Sequence, residues 1–182
     1  MDEALQIGQK IKGYRTARQM TARELASQAQ ITPSMLSQIE RGQANPSLQT
    51  VRLLARALGV PLFRLFTGEE PVSGEVVRAD QRRKISEQGV EFELLTPDTN
   101  GAVEMLLLTL RPGMESSPTF HSHAGEEVTF VMRGCAQLLL EGTSHALREG
   151  DSVRIKSGLA HRWRNDSDTD CVLVFAVTPP SF

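Results

Sequence analysis

The sequence predicts a two-domain α + β protein: an N-terminal all-α unit of five helices, then an all-β unit of jelly-roll type. Three observations carry that reading. Helix punctuation, meaning capping residues, a proline at a first helical position and a closing glycine, recurs up to about residue 66. From about residue 78 onward, short apolar or alternating runs are broken by Gly, Pro, Asn and Asp, the pattern of an antiparallel sandwich or barrel. Between the two, TGEEPVSG at 67–74 is small, acidic and proline-bearing, as linkers are. The predicted division is therefore 1–67, a linker at 68–77, and 78–182.

Composition narrows the class. With 182 residues the chain can hold one or two domains. It is 40% apolar and 23% charged, with a mean hydropathy of −0.24. A run of ~18 apolar residues is missing, which excludes a membrane-spanning helix. A basic-then-apolar leader is also missing, so a cytoplasmic protein is expected. Cys135 and Cys171 match no metal or redox spacing and are too few for a disulfide framework, so both read as small strand residues. The net charge of −2 hides a split: residues 1–67 carry nine Lys/Arg against four acids, and the remainder eleven against eighteen. A basic module able to meet phosphates is thus joined to an acidic one that holds all four histidines.

The helices follow in order. Ile7, Ile11 and Tyr14 repeat at i, i+4, i+7 as one stripe of a first helix. Thr21-Ala22-Arg23-Glu24 is a capping-box pattern that opens a second, carrying Leu25, Ala26 and Ala29. Thr32-Pro33 reads as an N-cap followed by proline at the first helical position; this third helix buries Leu36 and Ile39 and stops at Gly42. Asn45-Pro46-Ser47 starts a fourth, with Leu48, Val51, Ala55 and Leu58 on one face and Gly59 at its end. A short fifth follows Pro61.

Helices two and three are separated by only Gln30-Ile31, a spacing that suits a helix-turn-helix. Opposite Leu36 and Ile39 lie Ser34, Ser37, Gln38 and Arg41, all hydrogen-bond-capable. Such a stripe can enter the ~12 Å major groove, where Gln can bond adenine and Ser either base, although many solvated helices also carry polar stripes. The stretch MTARELASQAQITPSMLSQIERGQANPSLQTVRLLARALGVPLFRLF resembles the lambda-repressor-like, XRE-type helix-turn-helix regulators over almost its whole length. That resemblance implies double-stranded operator DNA as partner. By position it implies Thr32 as a phosphate-binding cap residue and Pro33, Ser34, Ser37 and Gln38 as groove-facing. It places Met35 at the edge, near a thymine methyl, and Arg41 and Asn45 on the backbone.

Candidate strands are 90–95, 103–110, 128–132, 136–140, 152–155, 161–164 and 172–177. His121 and His123 stand two residues apart, so strand alternation sends both imidazoles to one face, with Glu127 on it as well. Glu126 has the wrong parity. His161 lies on a separate strand. Three imidazoles and a carboxylate can hold a divalent metal, whereas an H-x-H by itself is cheaply produced by alternation. Residues 121–134, HxHxxxExxxxxxG, resemble the first cupin motif, and 150–165 the second. That resemblance implies a double-stranded β-helix barrel from about residue 78 to 178, with His121, His123, Glu127 and His161 as four metal ligands. Zn is the first choice of metal, with Ni, Fe and Mn open. Lys156 departs from the proline usual in the second motif.

Alternation also nominates a pocket lining of Thr129 and Val131, beyond Glu127, and of Trp163 and Asn165, beyond His161. Trp163 is either a ligand-stacking wall or a core aromatic. His145 reads as an exposed strand residue, and Arg133, Arg154, Arg162 and Arg164 as solvated bases able to receive a ligand carboxylate.

Together the two resemblances imply a homodimeric, ligand-responsive transcription factor, a repressor more than an activator. Its cupin domain would sense a small molecule such as an amino acid, short peptide or polyamine. The alternative is a cupin metalloenzyme, a dioxygenase or isomerase, fused to a DNA-binding domain. Catalysis needs an open metal position and a positioned acid or base. Beyond the ligands no such residue stands out, so a non-enzyme is expected.

Overall fold

The computed structural model of the protein describes residues 3–66 and 76–182; most of the predicted 68–77 linker lies outside them. The chain forms two compact units, 1–67 and 68–182.

Among the described residues the first unit holds five helices: α1 (Glu3–Ala17), α2 (Ala22–Gln28), α3 (Pro33–Glu40), α4 (Leu48–Leu58) and α5 (Phe63–Phe66). Their starts are set locally. The Thr21 hydroxyl accepts from the Glu24 amide while the Glu24 carboxylate accepts from the Thr21 amide. The Thr32 hydroxyl accepts from the Met35 amide and the Ser47 hydroxyl from the Thr50 amide. Ile11, Leu25, Leu36, Ile39, Leu54 and Phe63 are fully buried and form the centre of the bundle. Helix α1 lies directly on the end of α3: a Cβ added at Gly8 would stand 2.0 Å from the Ile39 carbonyl oxygen, so only glycine permits this approach.

Among the described residues the second unit holds nine strands. They are β1 (Arg83–Glu87), β2 (Val90–Leu94), β3 (Glu104–Leu110), β4 (Glu126–Arg133), β5 (Cys135–Leu140), β6 (Thr143–Arg148), β7 (Ser152–Ile155), β8 (His161–Arg164) and β9 (Cys171–Thr178). One sheet has the order β1-β2-β3-β9-β4-β7 and the other β6-β5-β8. Every pairing is antiparallel. The inner faces bury Phe92, Leu106, Leu138, Trp163, Leu173 and Phe175 as a shared core. Strands β1 and β6 stand beyond the seven candidates. Each has a single buried position, Ile85 and Leu147, which leaves no alternation to detect. His145 is an exposed strand residue on β6. Cys135 and Cys171 are free strand residues.

Candidate nucleic-acid interface and metal centre

On α3 the polar stripe faces solvent. Thr32, Pro33, Ser34, Gln38 and Arg41 are exposed, Met35 and Ser37 half-buried, and Asn45 is exposed in the connection to α4. The stripe is pre-ordered: the Arg41 guanidinium donates to the Ser37 hydroxyl and to the Gln43 side-chain oxygen at 2.8 Å. Sequence reasoning missed Glu40, whose carboxylate on the same helix would repel phosphate. It is engaged instead by Arg15 of α1, Nε to Oε1 at 2.6 Å and the second nitrogen to Oε2 at 2.9 Å. The pair is largely covered, at 13% and 9% side-chain exposure, so the fork both holds α3 against α1 and masks the acid.

In the barrel, β4 of the larger sheet carries Glu127 and β8 of the smaller carries His161. The segment between β3 and β4 carries His121 and His123. It is tied to the loop before β8: His121 and His161 exchange backbone bonds at 3.1 and 2.9 Å, and the Gly158 amide donates to the His123 carbonyl at 2.9 Å. The ligand-capable atoms of His123, Glu127 and His161 all lie within 4.8 Å of one another. His123 Nε2 stands 3.0 Å and His161 Nε2 3.6 Å from Glu127 Oε2, with all three side chains no more than 5% exposed.

Of the four expected ligands, His121 stands at the edge of this group of three. Its ring lies against that of His161, centroids 4.6 Å apart. The parity argument assumed a strand running from residue 121, whereas β4 begins at Glu126, so alternation does not govern the histidine pair. Parity does hold inside β4: Glu127 is 1% exposed and Glu126 faces outward.

The cluster's chemistry fits a cation. His123 Nδ1 lies 2.9 Å from the Gly125 carbonyl, and His161 Nδ1 2.9 Å from the Leu159 carbonyl. A carbonyl can only accept, so each Nδ1 bears a proton, and a neutral ring then aims its Nε2 lone pair at the carboxylate. Two lone pairs and a carboxylate converging in a buried place need either added protons or a metal ion among them. Burial by itself would raise the Glu127 pKa. When both imidazoles carry the added proton, His123 and His161 together with the Thr129 hydroxyl overcome that and hold the carboxyl well below the usual carboxylate range.

Beside the cluster a narrow cleft of about 190 Å³, counting its open side, is lined by His121, Glu127, His161, Trp163, Phe92 and Phe182 among others. Of the predicted lining, Trp163 is there and Thr129 and Val131 are not. Thr129 is fully buried and donates its hydroxyl hydrogen to Glu127 Oε1. Asn165 braces a corner through bonds to the Leu110 and Thr169 carbonyls. Arg162 is paired with Glu115 at 2.8 Å and Arg164 with Asp166 at 2.7 Å, while Arg133 and Arg154 are exposed. Phe92 follows strand alternation and could have been found that way; nothing local points to Phe182.

Comparison with known proteins assigns both units. Residues 11–65 match the helix-turn-helix family and residues 106–177 the cupin domain family. The chain is 29% identical over 184 residues to the HTH-type transcriptional regulator PuuR of Escherichia coli (strain K12), covering 100% of this chain and 99% of that protein. An HTH_3 family transcriptional regulator from Vibrio cholerae superposes with a TM-score of 0.77 at 21% identity, over 97% of this chain and 96% of that one. FeII HppE shares the fold more distantly, with a TM-score of 0.50 at 18% identity, over 97% of this chain and 100% of that one. The chain belongs to the XRE-type helix-turn-helix transcriptional regulators that carry a C-terminal cupin domain.

Proposed function

We propose that the protein is a cytoplasmic, homodimeric, ligand-responsive repressor, with residues 1–67 reading operator DNA and 78–182 binding a divalent metal and a small-molecule effector. What carries this reading is one pairing of features: an exposed hydrogen-bonding face on α3 and a buried histidine–carboxylate cluster in the same chain. Ser34, Ser37 and Gln38 read base edges, with Pro33 and Met35 filling the groove edge. Thr32, Arg41 and Asn45 hold phosphates and set register. His123, Glu127 and His161 hold the metal, Zn before Ni, Fe or Mn, with His121 beside them as the fourth donor. A metal there supplies a Lewis-acidic anchor for an effector oxygen or nitrogen. The effector, an amino acid, short peptide or polyamine, shifts DNA affinity only through its differential affinity for the two dimer states.

The outer face of the larger sheet supports the dimer. Val128, Phe130 and Met132 of β4 are 45–49% exposed, and across β9 their row reaches Met105 of β3 at 39%. A continuous apolar patch of this kind on a sheet marks an association surface.

The test begins with protein purified without chelator. Elemental analysis should find about one divalent ion per chain, and His123→Ala should lose it together with the effector response while DNA binding survives. On operator selected from genomic fragments, Gln38→Ala should lose discrimination at one base pair by about 1–3 kcal/mol. Metal-free protein, or binding reduced equally on all operator variants, would overturn the respective assignment. Steady turnover of carboxylates or amines by the metal-loaded protein would favour the cupin enzyme reading instead.

A further inference from the structure

The 179–182 segment folds back over the barrel and fills part of the cleft. The Phe182 ring lies 5.1 Å from Phe92, 5.1 Å from Phe175 and, edge-on, 6.1 Å from His121, centroid to centroid. Its backbone amide donates to Glu104 Oε2 at 3.2 Å, and the Ser181 amide also bonds that carboxylate. The Ser181 hydroxyl accepts from the Gly125 amide at 2.7 Å. A Cβ at Gly125 would stand 2.5 Å from the Pro179 carbonyl oxygen and 2.7 Å from Ser181 Oγ, so the loop between the histidines and β4 is shaped to receive this strap. Glu104 is fully buried beneath it.

Removing the strap would cost two things at once. It would expose the apolar walls formed by Phe92, Phe175 and Trp163, and leave a buried carboxylate short of two donors. An occupant that replaces the strap must therefore supply both an apolar ring and N–H donors. We propose that the strap is a built-in stand-in for the effector: the cleft takes a small molecule bearing an aromatic or compact apolar group beside an ammonium or amide N–H. It binds by exchange with the Phe182 ring and the strap amides, the N–H groups going to Glu104. This deepens the effector-binding reading above and rests on it. The closed strap acts as a competitor in the chain, so apparent affinity is reduced by the fraction of molecules in which it has left.

The probe is 2-phenylethylamine, read by calorimetry and by fluorescence of Trp163, the single tryptophan, which lines the same cleft. Phe182→Ala should bind the probe about tenfold more tightly than the unaltered protein. Acetophenone, a ring without an N–H, and methylamine, an N–H without an apolar group of any size, should each bind that variant at least about tenfold more weakly than the probe. Adding Glu104→Gln should erase most of the advantage of the amine over acetophenone. Ser181→Ala, which loosens the strap and keeps the ring, should also raise affinity and serves if Phe182→Ala misfolds. Equal affinity in the unaltered protein and the strap variants, or no binding to any of them, overturns the proposal. Metal content and operator affinity of the unaltered protein are measured alongside. If both are intact while the strap variants show no gain, only the exchange inference fails; if both are missing, the regulator reading fails.

Discussion

Glu104 and Glu127 are buried carboxyls of one barrel whose surroundings push them in opposite directions. Around Glu127, two imidazoles and a hydroxyl outweigh burial, and the group stays ionised. Around Glu104, burial outweighs the amides of Phe182 and Ser181 and pushes the pKa up to about 7 from its ordinary 4.5. Between those two values the folded protein keeps a proton that the unfolded chain has released, so stability falls as pH rises through this window and levels off above it. Below pH 4.5 both states are protonated and the group contributes no slope. Glu104→Gln cannot ionise and accepts the same two amide bonds. Its melting temperature relative to the unaltered protein should therefore climb by on the order of 5 °C from pH 4.5 to 7.5 in a calorimetric series. A constant difference across the series would show that Glu104 does not titrate in this range.

At the scale of elements, the α1–α3 contact decides how the DNA-reading helix is presented. Gly8→Ala would force a methyl group against the Ile39 carbonyl, a backbone atom that cannot yield as a side chain could. It should cost the helical unit about 1–3 kcal/mol and weaken operator binding without altering metal content. Gly13→Ala on the same helix meets nothing within 4 Å and should instead stabilise by about 0.5–1 kcal/mol, so thermal melts of the two variants should move in opposite directions. The helices were legible because their signals are local: Thr21, Thr32 and Ser47 cap within three residues of themselves. The strands were legible where one face is buried, as along β4, and not along β1 and β6, where one residue in each is. In the candidate site, His123, Glu127 and His161 were legible as a set. The parity argument reached His121 and His123 although their segment is not a strand, and Phe182 was invisible because only the tertiary path brings residue 182 beside Phe92.

For the molecule as a whole, the proposed repressor depends on two recognition helices meeting one operator. An XRE-type domain contributes a single half-site, and half-sites lie ~34 Å apart or at multiples of that spacing, so tight binding requires a dimer held elsewhere in the chain. The apolar row Val128, Phe130 and Met132 is the largest exposed apolar feature of β4, and its neighbours on β9, Val174 and Ala176, continue it toward Met105. Phe130 is 45% exposed and sits mid-row, paired with Val174 on one side and Ser152 on the other. A carboxylate there costs the isolated barrel little, since the side chain already meets solvent, but two copies facing one another would bury like charges. Phe130→Glu should therefore leave metal content unchanged and convert the protein to monomers in sedimentation equilibrium, the melting temperature falling only by what dimerisation contributed. Operator affinity should drop by roughly 10²–10⁴-fold, the advantage of making the second half-site contact intramolecular, while weak half-site binding by α3 remains. A variant that stays dimeric and binds as before would place the dimer on another surface. A monomer that still binds tightly would mean that one helical unit suffices, and the two-fold operator model would have to be abandoned.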